Sequence, residues 1–556
     1  MRKMVGTAPR ALVVAALTAS CAGLVSCSDG AAVPATTTVP VSVDAEVLSS
    51  LCSGVVAAGL GDGTLCADSG FRMESDRFSF TNWGRSVAAD DNVTLQTLID
   101  LFGHSQVCMP GAQSECVLRP RTVQALHDWN VALAGGRCEG MAVLSQRMFL
   151  GYDTPQEFGG SFATAADVPR SARDLAPVLT HWWATQFVPE VARAAAASRL
   201  RTPGQLVADL IEGLENDAGH TIGLYHRGAG HSVTPFAVTR RGDTWVVHVY
   251  DNNDPRTRHE LLVRPSEATW RYEGPTGTWE GSTGTMEVTP LDVRGGPFTC
   301  DFCSGADGGT TITVASQDGP ARPMLLIDAG GLGTVEQTAD GFRSTIEGAS
   351  IAPGKGRGGS VTVRLPATAG PLRIELRGTD GVPHAPATVT VRRAGHADLQ
   401  VREAAPGAPT GAARAVAPLL MLDPEGTTVT AAGGAVQVVA AGGSNLGRVP
   451  VERDHTLIVS RVERGADGDT VAMSYENPSI PGSSVLEPFT LELEPSVATD
   501  TEIIPKNGVL TASASPTQAR PASPARQFRS SPLPRDTTRS TAPRGTVPSV
   551  DVTLPG

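Results

Sequence analysis

A cysteine attacks a carbonyl carbon as its thiolate, and it needs a base to activate it and donors to hold the oxyanion that forms. Cys138 is the residue of this chain best suited to that role. It lies in Gly135-Gly136-Arg137-Cys138-Glu139-Gly140-Met141, where a glycine turn meets an apolar-periodic segment. A helix opening at Cys138 would place the sulfur at the helix N-terminus, where the macrodipole and unpaired N–H groups favour the anion. His231 stands after Gly228-Ala229-Gly230 at the head of a strand-like run, and can form a thiolate–imidazolium pair. Asp251 follows Tyr250 at the end of the next run. Its carboxylate, or the amide of Asn252, would fix the ring tautomer through the second nitrogen. The Cys138 N–H, with Asn130 or Asn82, is the candidate oxyanion donor. Acyl transfer through a thiolate, with the proton shuttled by imidazole, is the chemistry these residues imply.

The elements that must position them follow from the apolar pattern. Residues 93–102 place Leu95, Leu98, Ile99 and Phe102 on one helical face, and 121–133, 140–150, 172–187 and 205–214 also read as helices. Two strands, 232–239 and 244–250, are joined by Arg240-Arg241-Gly242-Asp243, a hairpin turn in composition. That hairpin would bring Asp251 beside His231. Helices first and sheet second is an α+β order. Beyond about residue 275 helical periodicity disappears. Short Val/Thr/Ile/Leu runs such as 311–315, 324–328, 360–365 and 388–392 recur between Gly, Pro and Asp, which suggests β-sandwich modules.

Arg2 and Lys3 followed by the short apolar stretch 11–17 read as a signal peptide. Leu24-Val25-Ser26-Cys27 reads as a lipobox that would leave Cys27 as the lipidated first residue, with Cys21 and an unlipidated secreted form as alternatives. An exported chain keeps disulfides. Cys52 with Cys66, Cys108 with Cys116, and Cys300 with Cys303 can pair locally, leaving Cys138 odd, unless it pairs with Cys108 or Cys116. The expected organisation is a leader over 1–26, a Pro/Thr/Ala tether over 27–45, a thiol-site domain over 46–275, a β-rich domain over 276–395 and a second β-rich region over 396–500. A basic Pro/Ser/Thr-rich tail, 501–556, is expected to be disordered; it holds seven basic residues against three acidic ones.

Gly-x-Cys opening a helix rich in small residues, His-x-Val at a strand start and Asp/Asn at the end of the next strand resemble the papain-like cysteine peptidase superfamily. Gly-Gly-Arg-Cys-Glu-Gly-Met, Gly-His-Ser-Val-Thr-Pro-Phe and Tyr-Asp-Asn-Asn-Asp-Pro are closer to exported bacterial members than to papain itself. The likeness covers about residues 75–270. It implies a papain-like domain with Cys138 as nucleophile, His231 as general base and acid, and Asp251 or Asn252 as the orienting residue. Two positions depart from the pattern. The oxyanion glutamine's place holds Ala132, with Gln124 too far upstream, and the usual aromatic after the cysteine is Glu139, whose charge would raise the thiol pKa. Transglutaminase-like enzymes share the Cys-His-Asp order, but they place a tryptophan where this chain has Val233.

The net charge of −12 argues against a nucleic-acid partner. Cys300-Asp301-Phe302-Cys303 has redox spacing in a loop-like context, and no second ligand pair stands near it for zinc. Asp251-Asn252-Asn253-Asp254 has oxygen ligands for calcium but also turn composition. Residues 354–360 (Gly-Lys-Gly-Arg-Gly-Gly-Ser) lack the Ser or Thr of a phosphate loop after Lys355. The pattern asks for no metal and no cofactor. The expectation is a lipid-anchored enzyme on the outer face of the cytoplasmic membrane. It would hydrolyse or transfer acyl groups at peptide or isopeptide bonds, with a peptide or protein, including cell-wall peptide, as partner. A non-catalytic surface binding protein that reuses the fold is the rival; a cross-linking enzyme is the third reading.

Overall fold

The apolar stripe ending at Phe102 forms α1 (Leu95–Phe102), opened by Thr94, whose hydroxyl accepts from the Thr97 N–H. Five longer helices follow: α2 (Pro120–Leu133), α3 (Cys138–Leu150), α4 (Leu175–Ala184), α5 (Pro189–Arg199) and α6 (Pro203–Glu215). Three of these, α2, α5 and α6, start on proline, whose missing N–H would have had no helical acceptor there. The computed structural model describes residues 52, 55 and 59–531, apart from 111–114, 305–308, 317–321, 339–340, 368–369, 379–383, 385, 404–418, 432–434, 443–444, 466–467, 477–488, 494–498, 507–508 and 517. The leader, Cys27 and the tether expected over 1–45 lie outside the described residues, as do residues 532–556 of the tail.

Eight antiparallel strands form the sheet beside these helices: β1 (Thr64–Asp68), β2 (His220–His226), β3 (Ala229–Arg241), β4 (Thr244–Tyr250), β5 (Arg258–Arg264), β6 (Thr269–Gly274), β7 (Gly277–Ser282) and β8 (Met286–Pro290). Their order is β7-β6-β5-β4-β3-β2-β8, with β1 paired to β3. The long strand β3 changes partner part-way. Residues 229–233 pair with β2, and residues 234–241 pair with β4 around a bulge between Pro235 and Ala237, next to a proline that has no N–H for a ladder. Leu206, Leu210 and Ile211 of α6 pack with Val233, Val247 and Leu261 in one apolar core. Met141 and Leu144 of α3 pack with Leu179 and Trp182 of α4 in another.

The boundary expected at residue 275 falls too early. β8 completes the sheet by pairing with β2, and Phe298 and Cys300 are buried with Trp129 and Trp183. The α+β lobe therefore runs through the one-turn helix Asp301–Ser304.

Downstream, alternating apolar residues form two further sheets, of nine and ten strands among the described residues. Val361–Leu365 alternates buried and half-buried side chains, the period-2 pattern of a strand with one face in a core. Both sheets face one hydrophobic cluster that includes Ile312, Val363, Val389, Leu420, Val449 and Val471. The expected division at 395/396 falls in the turn between Ala387–Arg393 and Asp398–Glu403, which pair with each other, so no core boundary lies there. Thr499–Lys506 and Val509–Pro516 are strands of the same sandwich. The next segment runs back over the α+β lobe: Arg520 pairs with Cys116, and Phe528 stacks on His181. Within the expected tail, strands thus run to residues 506, 516 and 521, with Ile503 and Phe528 as apolar anchors within a polar composition.

The sandwich is fastened to α2 by buried polar groups. Asp128 accepts from Thr388 Oγ1 at 2.9 Å, Thr390 Oγ1 at 2.6 Å and Gln400 Nε2 at 2.8 Å. Gln124 donates to the Asp398 and Val439 carbonyls.

Cys52–Cys66, Cys108–Cys116 and Cys300–Cys303 are disulfide-bonded, and Cys138 is free. His104 lies near both sulfurs of Cys108 and Cys116, but those sulfurs are committed to each other. Closing the 14-residue separation of Cys52 and Cys66 restricts the unfolded chain. Replacing both with Ser is therefore expected to lower stability by about 3 kcal/mol, read from urea unfolding at neutral pH.

Candidate active site

Gly136 makes the sharp approach to α3. Its φ of +114° suits glycine, and a Cβ there would come within 2.6 Å of the Asn82 amide nitrogen. Asn82 holds the turn from outside by accepting from the Arg137 N–H at 2.8 Å. The Arg137 side chain is buried, donates to the Gly84 and Asp91 carbonyls and lies over Trp83. Cys138 is then the first residue of α3, where the N–H groups of the opening turn have no intrahelical acceptor. The sulfur is where an anion is favoured.

The histidine and the carboxylate arrive by strand register. Thr234 pairs with Tyr250, so Asp251, one residue past β4, comes alongside the start of β3. His231 Nε2 donates to Asp251 Oδ1 at 2.8 Å, which leaves Nδ1 for the Cys138 thiol. Asp251 is fully buried and further held by the Asn253 N–H at 2.7 Å and by the Tyr272 hydroxyl. Cys138, His231 and Asp251 thus form one contiguous row.

Burial alone would lower the His231 pKa. The Asp251 charge and hydrogen bond, with a further contribution from the Cys138 thiol, outweigh it and raise the pKa to about 10. Burial alone would raise the Asp251 pKa, but the His231 charge and the hydrogen bonds it accepts hold it at about 2. An imidazolium is therefore retained beside the sulfur through the neutral range. The raised histidine pKa contributes stability that is fully present below about pH 6.5 and is lost as pH rises through about 10. The lowered carboxylate contributes stability present above about pH 3.8 and lost as pH falls through about 2. Urea unfolding between pH 6 and 10 is expected to show the alkaline loss in the wild type, and to show it much reduced in His231→Gln.

The other candidates have different duties. The Asn130 amide is engaged with the backbone: Oδ1 accepts from the Val93 N–H at 3.2 Å, and Nδ2 donates to the Val93 and Leu126 carbonyls. It joins α2 to the segment before α1 and does not serve an oxyanion. Asn252 donates to the Cys138 carbonyl at 3.1 Å and the Ser232 carbonyl at 2.9 Å. It ties α3 to β3, and the carboxylate bonded to the His231 ring is that of Asp251. Asn82 does stand beside the Cys138 turn, with Nδ2 donating to Asn253 Oδ1 at 3.0 Å. Glu139 is not a free acid against the thiol. Burial would raise its pKa, but Lys355 and then Arg294 hold it at about 2.

Tyr272 and Glu287 carry no mark in the sequence, and Asn253 and Lys355 stand there only within turn-like runs. They lie 21 or more residues from their partners in the cases of Tyr272 and Lys355, and no local spacing marks them. Asp254 and His248 take ordinary structural roles, against His259 at 3.2 Å and Thr239 Oγ1 at 2.9 Å. A cavity of about 240 Å³ lined by Arg121, Asp128, Phe302 and Arg392 lies between α2 and the sandwich and shares no lining residue with the row. The Cys138 sulfur has no exposed surface, and His231 is 5% exposed. Half-buried Asn253, and Trp279 with its ring centroid 6.1 Å from that of His231, stand beside the ring. Among the described residues no helix is long and apolar enough to cross a membrane. No family model matches the chain, and no curated protein or solved structure matches it either, so its reading rests on the geometry just described.

Proposed function

We propose that this chain is an exported thiol enzyme, papain-like in its α+β lobe and lipid-anchored through Cys27, that hydrolyses or transfers acyl groups at peptide or isopeptide bonds. The observation that carries this reading is the unbonded Cys138 at the start of α3, beside a His231 ring whose Nε2 is 2.8 Å from the buried Asp251. In the reaction, the thiolate attacks the acyl carbon and a C–S bond forms while the carbonyl electrons move to oxygen. The imidazolium returns its proton to the leaving nitrogen as the C–N bond breaks. Water, or an amine acceptor, then gives a proton to His231 and displaces the sulfur. The Cys138 N–H, with the second Nδ2 proton of Asn82 beyond the one donated to Asn253, is the candidate oxyanion donor set.

A non-catalytic surface protein is the rival, and full burial of the Cys138 sulfur favours it. A peptidyl electrophile selective for thiols separates the two. The enzyme reading expects a Cys138 adduct in the native protein, found by peptide mass mapping and lost in His231→Ala. An adduct seen only after denaturation would support the rival.

A further inference from the structure

Glu139 directly follows the nucleophile, and an uncompensated carboxylate there would oppose a thiolate. It belongs instead to a row of five buried charged side chains. Arg294 pairs with Glu139, and Arg199 pairs with Glu287. Lys355 joins the two pairs, with Nζ 2.8 Å from Glu139 Oε1 and 2.8 Å from Glu287 Oε1. Three cations against two carboxylates leave one positive charge in a site largely closed to water, where charge acts at longer range than at the surface.

Lys355 is supplied by the sandwich, from the turn between Ser350–Pro353 and Val361–Leu365. That turn is seated on both approaches to the site. Gly356 and Gly230 exchange backbone hydrogen bonds of 2.9 and 3.1 Å, and the Arg357 N–H donates to the Gly135 carbonyl at 3.0 Å. A Cβ on Gly230 would run into the Gly354 carbonyl. The Lys355 N–H is held by Gln186 Oε1 at 2.6 Å. Lysine is rare in this chain, three residues among 45 basic ones. A compact ammonium with rotatable donors can serve two carboxylates that a planar guanidinium would have to approach edge-on.

We infer that Lys355 is a positioning residue of the thiol site: its ammonium neutralises Glu139 and leaves the buried charge behind Cys138 net positive, so that the nucleophile can ionise. The inference rests on Cys138 being the reactive thiol. The groups that bear on its titration are His231 on β3, Asp251 after β4, Tyr272 on β6 and Glu139 on α3. Behind Glu139 stand Glu287 on β8, Arg199 on α5, Arg294 and Lys355, while the Arg137 guanidinium points away, to Gly84 and Asp91.

The test is the rate of iodoacetamide labelling of Cys138 against pH in the whole protein, for wild type, Lys355→Met, Glu139→Gln and the double variant. Lys355→Met is expected to label at least about tenfold more slowly at about pH 6. The double variant is expected to recover to within about threefold of wild type, because the charge that Lys355 balances is gone. A Lys355 that only supports packing would give a slow variant that Glu139→Gln does not rescue, and that result overturns the inference. Should Lys355→Met not fold, Glu139→Gln alone decides: labelling at least as fast as wild type supports the inference, and slower labelling overturns it. A wild-type thiol that labels only above about pH 8.5 sinks both this inference and the enzyme reading. A wild type that labels at low pH, with Lys355→Met unchanged, sinks the inference alone.

Discussion

Replacing Cys138 with Ala is expected to abolish turnover of any acyl substrate and every adduct with a thiol-directed electrophile, while the protein still folds. The other six cysteines among the described residues are held in disulfides, so no second thiol among those residues can substitute. Loss of the nucleophile removes the acyl-enzyme route, a fall of about a thousandfold or more. The stability cost is expected to stay below about 2 kcal/mol, since the change deletes one buried sulfur and leaves the α3 turn held by Asn82 and Asn252. Turnover and near-ultraviolet circular dichroism on the same preparation check both halves of this expectation. Unchanged turnover would mean that the chemistry lies elsewhere.

Asp251 carries the second large effect, and two substitutions divide its roles. Asp251→Ala takes the acceptor away from His231, the Asn253 N–H and the Tyr272 hydroxyl together. Removing one partner of a buried charged pair costs about 3–5 kcal/mol, so this variant is expected to unfold at markedly lower urea concentration. Asp251→Asn keeps the shape but not the charge that raises the His231 pKa. Its histidine is expected to titrate much closer to the ordinary range, and Cys138 labelling at neutral pH to fall by about a hundredfold or more. An NMR titration of the His231 ring in wild type and Asp251→Asn measures the cause, and labelling measures the consequence. A labelling rate unchanged in Asp251→Asn would show that the carboxylate is structural only.

The members of the row were legible because each carries a local mark. Cys138 stands out once neighbouring cysteines pair, and a glycine turn before an apolar run marks a helix start. Two adjacent strands with a short turn bring the head of one beside the end of the other, which is how His231 meets Asp251. The rest depends on tertiary contacts that spacing does not encode. Tyr272 reaches Asp251 only because β4, β5 and β6 lie side by side in register. Lys355 reaches Glu139 across 216 residues, from a turn whose Gly-rich composition reads as a flexible loop. Helix α5 buries Val191, Ala192, Ala195 and Ser198, small residues that give little apolar signal. The single sandwich core was hidden for a related reason: alternation identifies strands but not which sheet each one joins.

The most direct test of the central claim is the pH dependence of Cys138 alkylation in the native protein, read by peptide mass mapping. With an imidazolium retained beside the sulfur and the helix N-terminus beneath it, labelling is expected to persist well below pH 8.5, the ordinary cysteine value. A Cys138 that resists labelling in the folded protein, or labels only at alkaline pH, would contradict the account and leave the row a buried structural contact.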